Sequence, residues 1–266
     1  MKTAAIILNR NLPVETDRLY ESLMLKESHL LDIYVVESGS DHDKLSQYCS
    51  FYADWPSALE HGLRYPAGMN YGLYNIYKSH PDTYDSFLLL TNDTTFLSES
   101  PIDNLRHELF SSPFIGIVSP CGENWGERFL LKENPSKAFW YIHNNCYLIS
   151  SSLVNKLCSM KSSYKNFLFD CSNFRGYATE SELLTKAYFN GFMSLITSKV
   201  ISREDESLLR ERYTLIKTTP ESDNIKLYLE EGLQWMYEKY GFTSRWDMNN
   251  YCYTAYNQFF DAYPQL

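Results

Sequence analysis

Three apolar runs that each stop at a polar turn constrain this chain most. Ala4-Ala5-Ile6-Ile7-Leu8 ends at Asn9 and Arg10, Leu31 to Val36 ends at Glu37-Ser38-Gly39-Ser40-Asp41, and Phe87-Leu88-Leu89-Leu90-Thr91 runs into Asn92-Asp93-Thr94. Such runs lack the alternation of a half-exposed strand, so they read as strands buried on both faces. Between the first two, Val14 to Lys26 places Leu19, Leu23 and Leu25 among charges, as an amphipathic helix does. A short helix is expected over Asp43 to Tyr48 and a longer one over Gly68 to Ser79. Strand, helix and strand in succession predict a parallel sheet with crossover helices. In such sheets ligands gather outside the carboxyl ends of the strands, so Asn9, Glu37 and Asp93 are expected along one rim.

Further along, Phe114 to Ser119 and Phe139 to Ile149 read as strands, and Ser151 to Met160 as a helix. Thr179 to Asn190 reads as a helix ended by Gly191, and Phe192 to Ile201 as another strand. Past Arg203 the pattern turns helical, over Ile225 to Tyr240 and Asn249 to Tyr263. The expected organisation is therefore an α/β domain over 1–204 with a helical extension, 205–266, packed on it.

With 266 residues, 44% of them hydrophobic and 21% charged, the chain has enough apolar material for a full core. Its formal charge of −9 argues against a nucleic-acid partner, whose binding surfaces are net basic. The apolar stretch that Asn9 closes is too short for a signal-peptide core or a membrane span. The six cysteines show no C-x-x-C spacing, which suggests neither a zinc site nor a disulfide framework and points to the cytoplasm. The 22 tyrosines serve either core packing or the stacking of sugars on exposed rings.

An acidic residue leaving a buried strand either binds something or faces water. Asn92-Asp93-Thr94 is good turn chemistry on its own. Equally, one carboxylate beside phosphate oxygens and water suits a hard cation such as Mg²⁺ or Mn²⁺. Its company bears on the choice. Ala5 to Arg10, Val35 to Asp41, Gly68-Met69-Asn70-Tyr71-Gly72-Leu73 and Leu88 to Thr94 resemble, in order and spacing, the signatures of GT-A glycosyltransferases of the inverting, rhamnosyltransferase-like kind. The resemblance implies a Rossmann-like, mostly parallel sheet flanked by helices. It also implies a UDP-, GDP- or dTDP-sugar donor held by Asn9, Arg10, Glu37, Ser38, Asn70 and Asn92, with the divalent cation on Asp93.

Tyr177-Ala178-Thr179-Glu180-Ser181-Glu182-Leu183-Leu184, followed by Gly191-Phe192, is similar to the helix start that carries that family's catalytic base. The resemblance assigns the base to Glu180. Glu182 is the other carboxylate on offer, and two residues along a helix it faces away from Glu180, so the two cannot serve equally. Direct inversion needs a carboxylate to take the proton of the attacking hydroxyl, although a glutamate at a helix start also complements the helix dipole.

Departures from the family pattern are plain. Glu37 stands where its members have Asp, and Thr91 where the first acid of the usual acidic triplet falls. Val200 to Asp205 lacks the His that many relatives carry there, and Arg203 is the residue on offer to neutralise diphosphate in its place. For the saccharide acceptor, free, lipid-linked or part of a polysaccharide, Trp125 and His143 are the candidates for sugar contacts, with core packing the alternative for each. Membrane contact is expected to be peripheral at most, at the inner face of the membrane. A dinucleotide-dependent dehydrogenase is disfavoured, because Asn9-Arg10-Asn11-Leu12-Pro13 stands where a G-x-G-x-x-G would follow the first strand. A sugar nucleotidyltransferase and a non-catalytic nucleotide-sugar-binding or scaffold protein remain as alternatives.

Overall fold

The computed structural model describes residues 2–142, 146–158, 161–205 and 207–266. Strand β1 (Lys2–Asn9) lies between two parallel neighbours, β2 (Leu31–Glu37) and β4 (Tyr84–Thr91). That position explains its unbroken apolar run, since Ala4 to Ile7 have neither face exposed. In register, Asn9 pairs with Glu37 and Leu8 with Thr91, which sets the three polar strand ends on one rim, as the sequence predicts.

Helix α1 (Pro13–Glu27) opens with Pro13, whose missing N–H costs nothing in the first turn. It carries the chain from β1 to β2. The segment 42–48 departs from expectation. Only His42–Lys44 forms a single 3-10 turn, and the chain then enters an edge strand, β3 (Cys49–Tyr52), parallel to β2. A short helix, α2 (Pro56–His61), and α3 (Arg64–Ser79) lead back across the sheet to β4. Right-handed crossovers in opposite directions put α1 and α3 on opposite faces. Helix α3 sits close because Gly68 and Gly72 face the strands. A Cβ on Gly68 would come within 2.4 Å of Leu8, and one on Gly72 within 2.9 Å of Val36 and 3.0 Å of Ile6.

After the turn at Asn92 and Asp93 come β5 (Thr94–Phe96), α4 (Pro101–Leu109), β6 (Ile115–Gly122) and β7 (Ser136–Ala138). The N-terminus of α4 is capped from afar: the buried Glu27 carboxylate accepts the Ile102 and Asp103 N–H groups at 3.0 and 2.8 Å. This satisfies donors that the helix itself cannot. The expected strand over Phe139 to Ile149 is instead short. β8 (Tyr147–Ser150) follows an irregular approach, and residues 143–145 lie outside the described range. Aromatic Phe139, Trp140 and Tyr141 mimic a strand by composition, but beyond the Phe139 N–H, which donates to the Ser194 carbonyl at 3.1 Å, they pack edge-to-face on one another and on Trp125 rather than extending a ladder.

The chain then forms α5 (Ser151–Cys158), α6 (Thr179–Phe189) and the long strand β9 (Met193–Glu204). Gly191, at φ 83°, makes the left-handed turn that ends α6. Three helices close the chain: α7 (Ser207–Glu211), α8 (Glu221–Tyr240) and α9 (Arg245–Ala262). Strand order is β3-β2-β1-β4-β8-β6-β9-β5, with β7 also on β9. The half from β3 to β4 is parallel, whereas β8 runs antiparallel between β4 and β6. Helix α9 packs on α6, burying Cys252, Ala255 and Phe259, and α8 seats Trp235 and Met236 against Tyr177 and Ala178. No described helix is long and apolar enough to cross a membrane.

Candidate functional site

The rim formed by β1, β2 and β4 is held rigid by a buried polar knot. The Asn9 side-chain amide donates to both Glu37 carboxylate oxygens, at 3.1 and 2.9 Å, and its Oδ1 accepts from the Leu12 N–H and from Asn92 Nδ2, each at 3.1 Å. Glu37 accepts further bonds from Ser40 Oγ at 2.6 Å and from the Ser46 N–H at 2.8 Å. Burial pushes the Glu37 carboxyl up, and the bonds from Ser40, Asn9 and Ser46 pull back toward the ionised form. Every Glu37 oxygen is thus engaged inside the protein, so its part is to brace the β1 and β2 ends. Asn92 completes the brace by also donating to Thr16 Oγ1 at 3.0 Å.

Above this knot lies a cavity of about 320 Å³ lined by Asn9, Arg10, Ser38, Arg64, Tyr65, Asn92, Asp93, Arg175, Leu208, Ile216 and Asn224, among others. Leu208, Ile216 and Asn224 come from the segment after β9, which therefore supplies one wall. Six buried polar atoms in this lining have no hydrogen-bond partner among the described residues: Arg10 Nε, Arg64 Nε, Asp93 Oδ1, Arg175 Nε and Nη1, and Asn224 Oδ1. Buried polar groups in native proteins are nearly always satisfied, so such a concentration marks a place built to meet a polar ligand. A larger cavity, about 470 Å³ and lined by Trp55, His61, Tyr164, Lys165 and Phe174, has no unpartnered buried polar atom in its lining.

Asp93 is the second residue of the Asn92-Asp93 turn between β4 and β5. Burial pushes its carboxyl up from the ordinary aspartate range, and the nearby Asp205 adds to that, against a bond from Thr91. The Asp205 N–H donates to the Asp93 carbonyl at 3.1 Å, which ties the end of β9 to this turn.

Three guanidiniums face the same cavity. Arg10 donates from Nη2 to the Glu60 carbonyl at 3.0 Å. Arg64 donates from Nη2 to Thr218 Oγ1 at 2.7 Å, and no described carboxylate pairs with it. Arg175 Nε lies 3.3 Å from Glu231 Oε1 without hydrogen-bond geometry. Arg64 and Arg175 were invisible as site residues in the sequence, where nothing links them. They meet because each guanidinium lies 5.8 Å from the ring centre of Phe174. Burial, reinforced by Arg175 and Arg10, pulls the Arg64 guanidinium down to about 10.

Glu180 is the second residue of α6, half-buried. The helix start is fixed by buried Asn173, which donates to the Tyr177 carbonyl at 2.7 Å and accepts its N–H at 3.1 Å, and by Ala178 in the left-handed region at φ 55°. Burial raises the Glu180 carboxyl, opposed by its own backbone N–H and by Arg245. Tyr65, which lines the cavity, donates to Tyr147 Oη at 2.8 Å; burial pushes both phenols up, and the Glu180 charge adds to it. Glu180 itself is not among the residues that line the cavity.

The remaining candidates are placed elsewhere. Glu182, 3% exposed, forms ion pairs with Lys186 at 3.0 Å and Lys239 at 2.7 Å and accepts from Tyr240 Oη at 2.5 Å. Burial pushes its carboxyl up, but Lys186, Lys239 and Tyr240 prevail and hold it below the ordinary range. This is a strut between α6 and α8, not a free base. Replacing Glu182 by leucine is expected to cost about 1–3 kcal/mol of stability in denaturant unfolding, because Tyr240 and Lys186 lose their acceptor while the partly exposed Lys239 keeps Asp170. Since the folded carboxyl is depressed, its contribution is full above the unfolded value and fades as pH falls through the folded one. A destabilisation equally large at acid and neutral pH would refute the strut.

Asn70 is buried in α3, where its amide donates to the Phe169 carbonyl and accepts the Leu168 and Phe169 N–H groups, at 2.8, 3.0 and 2.9 Å. It fastens the 167–171 loop rather than facing the cavity. Arg203 makes a two-pronged ion pair with Glu123, at 2.5 and 2.9 Å, on an exposed part of β9, so the expected diphosphate contact falls to other arginines. Trp125 packs edge-to-face on Phe139 and Tyr141, away from the cavity lining. His143 lies outside the described residues.

No protein-family profile matches the sequence, and no curated protein does. Solved structures do match. A mannosyltransferase from Pyrobaculum calidifontis, PcManGT, in complex with GDP-Man and Mn²⁺, superposes with a TM-score of 0.56 at 13% identity, over 96% of this chain and 73% of that one. GalNAc-T7 with UDP, GalNAc and Mn²⁺ gives 0.57 at 10% identity, over 91% of this chain but only 56% of that one. A mycobacterial protein gives 0.52 at 10% identity, over 88% and 73%. At such identities the likeness is one of fold, and the chain has the GT-A fold: a curled α/β sheet flanked by helices, with further helices at its C-terminal end.

Proposed function

We propose that the protein is a glycosyltransferase, transferring a sugar from a nucleoside-diphosphate donor to a saccharide acceptor with inversion at the sugar carbon. The observation that carries this reading is the gathering of six unpartnered buried polar atoms, cationic and anionic together, at the carboxyl ends of β1 and β4. In open α/β sheets that is where ligands bind. The GT-A neighbours solved with GDP-Man or UDP and with Mn²⁺ support it.

Asp93 is the residue that would hold a divalent cation, because its Oδ1 is buried without a partner. No group of three His, Cys, Asp or Glu side chains suited to a metal exists among the described residues. That donor set fits Mg²⁺ or Mn²⁺ only, since these accept one carboxylate when phosphate oxygens and water fill the remaining positions. When bound, the cation supplies positive charge against the departing diphosphate. Asn9, Asn92 and Glu37 keep the rim fixed, Arg10 and Ser38 face the nucleoside, and Glu180 accepts the proton of the attacking hydroxyl. Residues 1–204 form the donor site's floor, and the 205–266 extension forms its wall. The acceptor is a saccharide, free, lipid-linked or part of a polysaccharide, handled at the inner face of the membrane or in the cytoplasm.

A thermal-shift panel of UDP, GDP and dTDP, each with and without Mn²⁺, tests the reading. One nucleoside diphosphate is expected to raise the melting temperature by several degrees at concentrations about 100-fold above its Kd, where linkage gives about 2.7 kcal/mol. No response to any nucleotide under either condition would remove the proposal.

A further inference from the structure

The cavity beside Asp93 carries more positive charge than a cation-bridged diphosphate alone requires. Arg10, Arg64 and Arg175 line the cavity with one carboxylate, Asp93, while Glu231 stands outside the lining in an ion pair with Arg175, in a chain whose formal charge is −9. Three guanidiniums on one cavity of an acidic protein are a local inversion of its charge. Their cost to the fold is visible. Arg64 occupies the left-handed region at φ 54°, where a residue with a side chain is strained. Its Nε, like those of Arg10 and Arg175, is buried without a hydrogen bond, and like charges are held together against their repulsion. Phe174 is the device that holds them, with a guanidinium 5.8 Å from its ring centre on each account. Glu231, the one acid near Arg175, keeps its own Oε2 unpartnered, so it does not neutralise the pair fully.

The geometry points to Arg64 and Arg175 as a guanidinium clamp on the diphosphate of the donor, holding it independently of any divalent cation. Guanidinium forks match phosphate oxygens in shape and charge, and their remaining N–H groups here have no other use. The clamp takes the role expected of Arg203, which Glu123 occupies, and it makes good the shortage of carboxylates around Asp93. During transfer it meets the charge that accumulates on the leaving diphosphate as the sugar–oxygen bond breaks. The assignment rests on the glycosyltransferase reading, and its test separates the two.

Titration calorimetry measures the nucleoside diphosphate selected by the thermal-shift panel, and the matching monophosphate, in EDTA and in Mn²⁺. The wild-type protein is expected to bind the diphosphate in EDTA and to prefer it to the monophosphate. R64Q and R175Q should each weaken the diphosphate by about tenfold or more, the scale of a truncated buried charge pair, while the monophosphate changes by less than about twofold. R64K and R175K, which keep the charge and lose the planar fork, should fall between. The wild-type protein gives an arm free of substitution effects: its diphosphate affinity in EDTA should fall as salt is raised, more steeply than its monophosphate affinity. Diphosphate binding that requires Mn²⁺ outright and is unchanged in R64Q and R175Q would overturn the clamp and leave the transferase standing. Absence of diphosphate binding under both conditions would overturn the transferase itself.

Discussion

Replacing Asp93 by asparagine is expected to raise the stability of the ligand-free protein and to cut sugar transfer by about 100-fold or more. The two effects have one cause. Burial and the neighbouring Asp205 hold the Asp93 carboxyl above its ordinary range, and its Oδ1 accepts nothing from the described residues. A carboxyl whose folded value is raised binds its proton more tightly in the folded state than in the unfolded chain. Folding stability therefore falls as pH rises through that window, and the penalty is complete once pH exceeds the folded value. Asparagine has no charge to desolvate, so the apo protein should gain about 1 kcal/mol, roughly 2–4 °C in melting temperature for a domain of this size. The lost activity follows from removing the anionic ligand that a cation at the diphosphate needs. Melting curves at pH 5 and pH 8 check the stability side, where the gain should be larger at pH 8. An Asp93→Asn protein that is less stable at both pH values, or as active as wild type with Mn²⁺ present, would show that Asp93 is an ordinary turn former.

How far the sequence reached toward this site depended on which forces were local. The runs that become β1, β2 and β4 were readable because central parallel strands bury both faces, so no polar residue interrupts them. β3 was missed because it is a half-exposed edge strand of four residues, too short to show a period. Helix α4 was not assigned, although Pro101 and Asp103 in its first turn and Arg106 in its last are local helix signals; only its cap, Glu27, lies far back in the chain. Aromatic composition misled at Phe139 to Tyr141, where ring packing replaces a ladder.

In the site, strand ends alone placed Asn9, Glu37 and Asp93 on one rim, and the family resemblance added Arg10, Ser38 and Asn92; of these, all but Glu37 line one cavity. The sequence could not separate those facing the cavity from those bracing it. Glu37 and Asn70 are polar residues in the expected places whose hydrogen bonds all point inward. Arg64 and Arg175 had no local signal, since only tertiary folding around Phe174 brings them together. The helical offset between Glu180 and Glu182 was readable. Which of the two faces was free became evident only once α8 had supplied Lys239 and Tyr240 to Glu182.

That division of labour between neighbouring glutamates gives the second large effect. Glu180→Gln is expected to lower kcat by about 10²–10⁴-fold, the contribution of a positioned general base, with donor affinity nearly unchanged. Glutamine keeps the size and the helix-start position but cannot take the acceptor's proton. The base must be ionised to act, and burial raises the Glu180 carboxyl against the pull of its backbone N–H and Arg245. The acid limb of the wild-type kcat/KM profile should therefore lie above the ordinary glutamate range, with activity falling as pH drops through it, and it should be absent from the residual activity of the variant. Arg245→Gln removes a charge that favours the ionised form, so it should move that limb further up in pH while leaving the plateau rate within a few-fold. A variant profile that keeps the wild-type limb would assign the proton to another group. A loss of nucleotide binding in Glu180→Gln comparable to its loss of turnover would make Glu180 a donor-site residue rather than the base.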